Sequence, residues 1–161
     1  MSGRSALRAL PLTPDAFAPF GEVLTVPQTP GRRDYFDGGL ANLRPGARPS
    51  VSLILGAPAA GATIEVTQIE RHAFSSQSFL PLAPCRWLVV VAPETQPGRP
   101  DLSRAVAFLP APGQGLTFAA GTWHAPLTVL EKPAPFAIVM WRDGGPEDEE
   151  FAPMEPLQIS V

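Results

Sequence analysis

Residues 86–142 read RWLVVVAPETQPGRPDLSRAVAFLPAPGQGLTFAAGTWHAPLTVLEKPAPFAIVMWR. In this stretch, short apolar segments alternate with turns that contain proline and glycine, a spacing typical of β-strands in a sandwich or barrel. The strands that the pattern predicts here are 86–92, 105–109, 116–119, 127–130 and 136–142. Similar segments come earlier in the chain, at 22–26, 51–55, 63–74 and 78–82. We therefore predict an all-β jelly-roll barrel of about eight to ten short strands.

Proline is the outlier of the composition, with 21 of 161 residues, about 13% against a usual ~5%. Because proline disrupts helix interiors, a helical bundle is excluded. The sequence predicts one short N-terminal helix of about two turns, with Thr13 as its cap, Pro14 in its first turn, and Pro19 and Gly21 at its end. The chain is 45% hydrophobic, enough for a real core, and its length suits a single domain over residues 1–161.

Charge, hydropathy and cysteine content restrict the class of protein further. The formal net charge of −3 and the pI near 5.3 argue against a nucleic-acid partner. The longest apolar run, 87–93, is far shorter than the ~20 residues that cross a membrane, so no membrane role is expected. Cys85 is the single cysteine, so no intramolecular disulfide can form. It is predicted to be a packed thiol in a cytoplasmic protein.

Two segments lack strand patterns. Residues 31–49 form a long connection with four arginines, which is read either as a functional, partner-binding loop or as a solvated, mobile one. Residues 143–155 carry six of the fifteen acidic residues. This proline-broken segment is predicted to be a solvated surface segment.

The two histidines are the candidates for chemistry near neutral pH. In a strand, Glu70 and His72 share a face that Arg71 does not, and Gln77 begins the next strand. His124 follows a glycine turn about fifty residues later, a separation that can bring both histidines to one cavity mouth of a small barrel. The alternative is two unrelated histidines in hydrogen-bonded positions.

Several segments resemble the ureidoglycolate lyase family. They are LTPDAFAPFGEVL (12–24), ERHAFSSQSFLPL (70–82), LVVVAP (88–93), PDLSRAVAF (100–108), GQGLTFAAGTWHAPL (113–127) and the arginine that closes FAIVMWR (136–142). The resemblance implies a cupin-like fold, a cytoplasmic homodimer, and cleavage of ureidoglycolate into glyoxylate and urea in allantoin and purine degradation. The family pattern has histidines where this chain has Ala119 and Ala125, and a further one near Thr67.

The resemblance and the chemistry of the substrate together suggest roles for the candidate residues. Cleavage needs a base, an acid and a cation that holds the small carboxylate substrate. His72 and His124 are predicted to transfer protons, with Gln77 orienting the substrate through hydrogen bonds. Arg142 is the predicted carboxylate binder, because a guanidinium matches a carboxylate bidentately. The remaining substrate-binding candidates are Glu70, Arg71, Trp123 and Asn42.

No cofactor is certain from the sequence. His72 and His124, with oxygen atoms from Glu70 and Gln77, could hold a divalent metal such as Ni, Mn or Zn. Two other functions stay open at this point. The first is a cupin-like protein that has lost catalysis and binds a small carboxylate, which Ala119 and Ala125 favour. The second is a metal cupin with different chemistry.

Overall fold

A computed structural model describes residues 6–146 and 148–161 and begins with short strands and one helix. The helix α1, Pro14–Phe17, starts where Thr13 accepts a hydrogen bond from the Ala16 amide at 3.3 Å. It is one turn long rather than the two that we predicted. The Phe20 amide donates to the Phe17 carbonyl at 2.8 Å, and the chain then enters a strand at Gly21. A 3₁₀ turn covers Leu102–Arg104.

Eighteen strands are present in the described residues. They are β1 Leu7–Arg8, β2 Leu10–Pro11, β3 Gly21–Leu24, β4 Arg48–Gly56, β5 Pro58–Ala59, β6 Thr63–Val66, β7 Ile69–His72, β8 Gln77–Pro81, β9 Trp87–Ala92, β10 Glu94–Gln96, β11 Arg99–Pro100, β12 Val106–Leu109, β13 Gly115–Phe118, β14 Trp123–His124, β15 Thr128–Leu130, β16 Ala134–Arg142, β17 Glu149–Ala152 and β18 Leu157–Ser160. The number exceeds the eight to ten predicted, because several are two-residue strands that carry no apolar pattern.

Two sheets form the barrel. The smaller has the order β3-β13-β8-β16-β4, and the larger runs β17-β7-β14-β9-β12-β2, with β15 added beside β9 and β5 beside β15. One core cluster joins the inner faces of the two sheets, and its fully buried members include Trp87, Val91, Phe108, Leu116 and Phe136. The all-β, cupin-like jelly roll with a short N-terminal helix is thus confirmed.

A third layer lies on the outer face of the larger sheet. The strands β1, β18 and β6 form a small sheet, and Ile64 and Ile159 from it pack with Leu88 and Val90 of β9. This layer explains why every residue of β9 is buried, since both of its faces are covered. Burial on both faces accounts for the unbroken apolar run of RWLVVVA.

Two sequence predictions are wrong. The single strand expected at 63–74 is two strands, because β6 pairs with β18 in the small sheet while β7 pairs with β14 and β17 in the larger one. The acidic segment is not merely a solvated surface: β17 pairs with β7 along four residues, and Asp148 is 5% exposed. Glu149 and Glu150 therefore lie on the edge strand beside the strand that carries His72.

The long connection at 31–49 packs against the turn between β7 and β8. The Leu43 amide donates to the Phe74 carbonyl at 2.7 Å, and the Ser76 amide donates to the Ala41 carbonyl at 2.9 Å. The loop therefore lies beside the residues that follow His72. In the part of the chain that the structure describes, no helix has the length and apolar content that crossing a membrane requires.

Candidate active site

Two strands of the larger sheet and one of the smaller sheet bring four predicted residues together inside the barrel. Glu70 and His72 come from β7, Gln77 from β8 and His124 from β14. The β7–β14 register sets His124 directly opposite Glu70, and the two imidazole rings are stacked with centroids 6.0 Å apart. We call Glu70, His72, Gln77 and His124 the histidine cluster.

His124 is held by the backbone and by an aromatic ring. It is 1% exposed and stacks on Phe118 with centroids 4.0 Å apart. Its Nδ1 lies 2.9 Å from the Thr122 carbonyl oxygen, which can only accept, so Nδ1 carries the hydrogen of the neutral ring. Burial lowers the pKa of His124 to about 3, and the ring is neutral at pH 7.

The other nitrogen of His124 carries the lone pair of the neutral ring. Nε2 lies 3.1 Å from Oε1 of Gln77 and 3.7 Å from Oε1 of Glu70. Because Nε2 carries the lone pair, the Gln77 amide can bond it only through its NH₂ group, with the amide turned by half a turn. When Gln77 bonds a substrate instead, Nε2 can accept a hydrogen bond from that substrate or bind a cation.

His72 is also neutral and buried. Its side chain is 5% exposed, and burial lowers the pKa of its imidazole, although the charges of Asp148 and Glu149 oppose that effect. Its Nδ1 is buried without a hydrogen-bond partner and lies 3.7 Å from Oδ2 of Asp148. On the side towards Asp148, His72 therefore has a buried nitrogen without a hydrogen bond.

Glu70 is the group in the cluster that titrates near neutrality. Burial raises its pKa to about 7, and the charge of Glu149 and a hydrogen bond with Glu149 add to the effect. Glu149 stands directly opposite His72 on β17, so its carboxylate joins the cluster from the sheet edge. A carboxyl with a pKa near the working pH is suited to both giving and taking a proton.

Removing the charge of Glu149 tests its effect on the pKa of Glu70. Glu149→Gln is expected to lower the pKa of Glu70 from about 7. A carboxyl with a raised pKa in the folded state contributes stability below about pH 4.5 that is lost as the pH rises through 7. The free energy of unfolding of the wild type should therefore fall more steeply between pH 5 and pH 8 than that of the variant. Glu150→Gln, on the opposite face, is the control, and equal slopes for all three proteins would contradict the coupling.

The donor set also fits a metal ion. Ligand atoms of Glu70, His72 and His124 lie within 4.8 Å of one another. Two imidazoles and one carboxylate suit a divalent transition metal. The Nδ1–H of His124 is held by the Thr122 carbonyl, which is the outer hydrogen bond that commonly fixes a metal-binding histidine.

Arg71 and Trp123, two predicted substrate-binding residues, lie on the other face of the larger sheet. The Arg71 guanidinium pairs with Glu150 and Glu94 and lies 4.9 Å from the centroid of the Trp123 ring. Trp123 is 2% exposed and packs with Ile69. Strand alternation turns both side chains away from the histidine cluster, so we leave them out of the site.

Arg142 and Asn42 are not in contact with the cluster either. Arg142 ends β16 opposite Arg48 and is exposed. It shares its alternation with Phe136, which faces the core. The side chain of Asn42 forms hydrogen bonds within its own loop. Its NH₂ group donates to the Ala47 carbonyl, and its oxygen accepts from the Arg44 backbone amide. Substrate contacts by these two residues remain predictions.

The positions at which the resemblance leads us to expect further histidines lie away from the cluster. Ala125 is buried in the outer cluster with Val90, and Thr67 lines the same shallow pocket as Ala125. Ala119 lines a separate cleft with Trp123. The alanines at 119 and 125 therefore remove no donor atom from the histidine cluster.

Asp148, Glu149 and Phe118 are site residues that we did not predict from the sequence. Phe118 looked like an ordinary core residue, and the two acids looked like part of a charged surface segment. Their place depends on β17 pairing with β7, a contact between distant parts of the chain. No local signal in the sequence indicates that pairing.

Comparisons with known proteins agree with one another. A family model described as ureidoglycolate lyase matches residues 4–160. The chain is 39% identical over 155 residues to a protein named ureidoglycolate lyase from Mesorhizobium japonicum, covering 90% of this chain and 91% of that protein. It is 39% identical over 162 residues to one of the same name from Chelativorans sp., covering 95% of each. A Burkholderia cepacia protein of that name is 40% identical over 157 residues, covering 91% of this chain and 85% of its own length.

Proposed function

The chain belongs to the ureidoglycolate lyase family, and we propose that it splits ureidoglycolate into glyoxylate and urea. The observation that carries this proposal is the histidine cluster, in which a carboxyl that titrates near neutrality lies beside two neutral imidazoles. The reaction belongs to allantoin and purine degradation. We place the enzyme in the cytoplasm, because its single cysteine, Cys85, is a buried free thiol.

The reaction moves one proton and breaks one carbon–nitrogen bond. The substrate carbon carries a hydroxyl, a carboxylate and the ureido nitrogen. As the hydroxyl loses its proton, the carbon–oxygen double bond of glyoxylate forms and the electron pair of the carbon–nitrogen bond leaves with nitrogen. That nitrogen takes up the proton, and urea departs. No water is consumed, so one group that takes a proton and returns it is sufficient.

Glu70 is suited to carry that proton. With a pKa of about 7, it can take the hydroxyl proton as a carboxylate and return it to the ureido nitrogen as an acid. His124, with a pKa of about 3, is a poor proton carrier. Its Nε2 instead accepts a hydrogen bond from an N–H of the ureido group and so orients the substrate. The histidine roles predicted from the sequence thus change from proton transfer to orientation.

His72 and Gln77 complete the orientation of the substrate. The Gln77 amide lies beside His124, where it can bond the ureido group. In a metal-loaded protein, Glu70, His72 and His124 would instead hold a divalent cation such as Ni²⁺, Mn²⁺ or Zn²⁺, which would supply Lewis-acid polarisation of the substrate hydroxyl, and Glu70 would then not be the proton carrier. Arg142 remains the proposed binder of the substrate carboxylate, since it ends a strand whose inner face lines the core.

Product analysis tests the reaction type. Urea and glyoxylate are expected in equal amounts, with no ammonia, measured by separate enzymatic assays on one reaction mixture. Ammonia release would indicate hydrolysis of the ureido amide instead of carbon–nitrogen cleavage by elimination. Binding of a small carboxylate without turnover would favour the protein that has lost catalysis. The positions of Ala119 and Ala125 outside the cluster argue against that alternative.

We also propose that the chain forms a homodimer through β4. This nine-residue strand lies at the edge of the smaller sheet, and Val51, Leu53 and Leu55 on it are 69%, 73% and 68% exposed. An open edge with an apolar row is a site of association. The strand has no acidic residue and carries Arg48 at one end, so two copies can pair antiparallel with the charges far apart.

A charge in this row should separate the subunits. Leu53→Lys is expected to convert a dimer into a monomer, measured by light scattering after size-exclusion chromatography. Val26→Lys is the control, because Val26 is 67% exposed but follows β3 at the opposite edge of the sheet. A monomeric wild type, or a variant at Leu53 that stays dimeric, would contradict the proposed interface.

A further inference from the structure

We propose that Asp148 is a positioning residue for His72, fixing the orientation and the tautomer of its imidazole. The side chain of Asp148 does not reach the reacting atoms but acts through His72. The expected effect on turnover rests on the proposed function, whereas the expected effect on the tautomer of the His72 imidazole does not.

The first observation is that Asp148 is built into the turn that follows His72. Its Oδ1 accepts a hydrogen bond from the Phe74 amide at 2.7 Å, and its Oδ2 accepts one from the Ser75 hydroxyl. Its backbone carbonyl accepts one from the Ala73 amide at 3.0 Å. Three consecutive residues after His72 are therefore tied to this one acid.

The second observation is that the carboxylate has a cation beside it. Arg44, from the long connection, places Nη2 3.7 Å from Oδ2 of Asp148 and Nη1 2.7 Å from Oδ2 of Asp143. The Arg44 side chain is 17% exposed, and that of Asp148 is 7% exposed. A buried carboxylate is stable as an ion when it is paired and hydrogen-bonded. Asp148 is thus held in place independently of His72.

The third observation is the unmet nitrogen of His72. Its Nδ1 is buried without a hydrogen-bond partner and lies 3.7 Å from the Asp148 carboxylate. In the proposed arrangement the ring turns towards Asp148, and this distance closes to that of a hydrogen bond. With the hydrogen on Nδ1, Nε2 carries the lone pair, which Gln77, a substrate or a cation can meet. Carboxylates that hold a histidine in this way fix its tautomer.

The chain contains two histidines, so the tautomer can be read directly. Protein labelled with ¹⁵N-histidine and treated with chelator gives two imidazole signals in a long-range ¹H–¹⁵N correlation spectrum, and His124→Asn identifies which signal is His72. In the wild type, His72 is expected to carry its hydrogen on Nδ1. In Asp148→Asn, the amide can keep the Phe74 hydrogen bond while its NH₂ group replaces Oδ2. A donor then faces Nδ1, and the hydrogen should move to Nε2.

Turnover is measured on the same proteins. Asp148→Asn is expected to lower kcat by about tenfold or more, with KM changed by less than about threefold, because the effect lies in the orientation of His72. The matched control is Asp143→Asn, which removes the other carboxylate beside Arg44. It should leave the His72 tautomer and kcat unchanged.

The spectrum decides the proposal whatever the assay shows. A wild-type His72 with its hydrogen on Nε2 would overturn it, and so would an unchanged tautomer in Asp148→Asn. If Asp148→Asn does not fold, the wild-type spectrum and the milder Ser75→Ala still test it, since Ser75→Ala should fold and keep the Nδ1–H form. If the tautomer changes as expected but the wild type has no lyase activity, the proposed function fails while the positioning role stands.

Discussion

Glu70→Gln is expected to lower kcat for ureidoglycolate by about 10²–10⁴-fold, the usual contribution of a general acid–base residue. Glutamine has nearly the same shape but cannot take up the hydroxyl proton or return it to nitrogen. Because burial already raises the pKa of Glu70 to about 7, the fold tolerates an uncharged group there. The melting temperature should therefore change little at pH 7, while glyoxylate release nearly stops.

The control for this variant is Glu150→Gln. Glu150 follows Glu149 on β17 and pairs with Arg71 on the opposite face of the sheet, so its loss removes a charge near the site without removing the proton carrier. Activity close to that of the wild type is expected. If Glu70→Gln keeps full activity, or if both variants lose it equally, Glu70 is not the proton carrier.

His124→Asn is expected to lower kcat/KM by about 10²-fold. The asparagine NH₂ can replace the Nδ1–H that donates to the Thr122 carbonyl, but no atom replaces Nε2. The ureido group then loses the acceptor that orients it, and a bound cation would lose one ligand. The variant should also lose stability, because the ring stacks on Phe118 at 4.0 Å, so the assay is made well below its melting temperature.

A neighbouring tryptophan separates chemistry from stability in this experiment. Trp123→Phe changes the residue before His124. Trp123 is also buried, at 2% exposure, but its side chain faces the outer layer. It should lose stability and keep most of its activity. A loss of activity as large as that of His124→Asn would show that the outer face of the sheet contributes to turnover. That result would contradict the histidine cluster as the active site.

Local patterns in the sequence predicted most of the barrel. RWLVVVA and FAIVMWR were identified as strands because their apolar runs end at prolines and charges, and β9 and β16 follow those limits closely. The segment 63–74 has the same local pattern throughout, yet it divides between two sheets. That division depends on which strands lie beside it, which a local pattern does not contain.

The site was predictable to a similar extent. Alternation along β7 predicted that Glu70 and His72 share a face and that Arg71 does not. The spacing of strands in a small barrel predicted that Gln77 and His124 lie close to these two residues. Asp148 and Glu149 were missed because an acid at a sheet edge and an acid in solvent look alike in the sequence. The pairing of β17 with β7 gives these two acids their roles.

The central claim is that the histidine cluster cleaves ureidoglycolate, and glyoxylate release by the purified protein tests it most directly. The blank is the double variant His72→Ala/His124→Ala, which also accounts for spontaneous decay of the substrate. The assay is run with chelator and then with added Ni²⁺ or Mn²⁺. We expect release clearly above the blank in at least one condition, and the chelator shows whether the cluster needs a cation. Release no faster than the blank in every condition would contradict the claim.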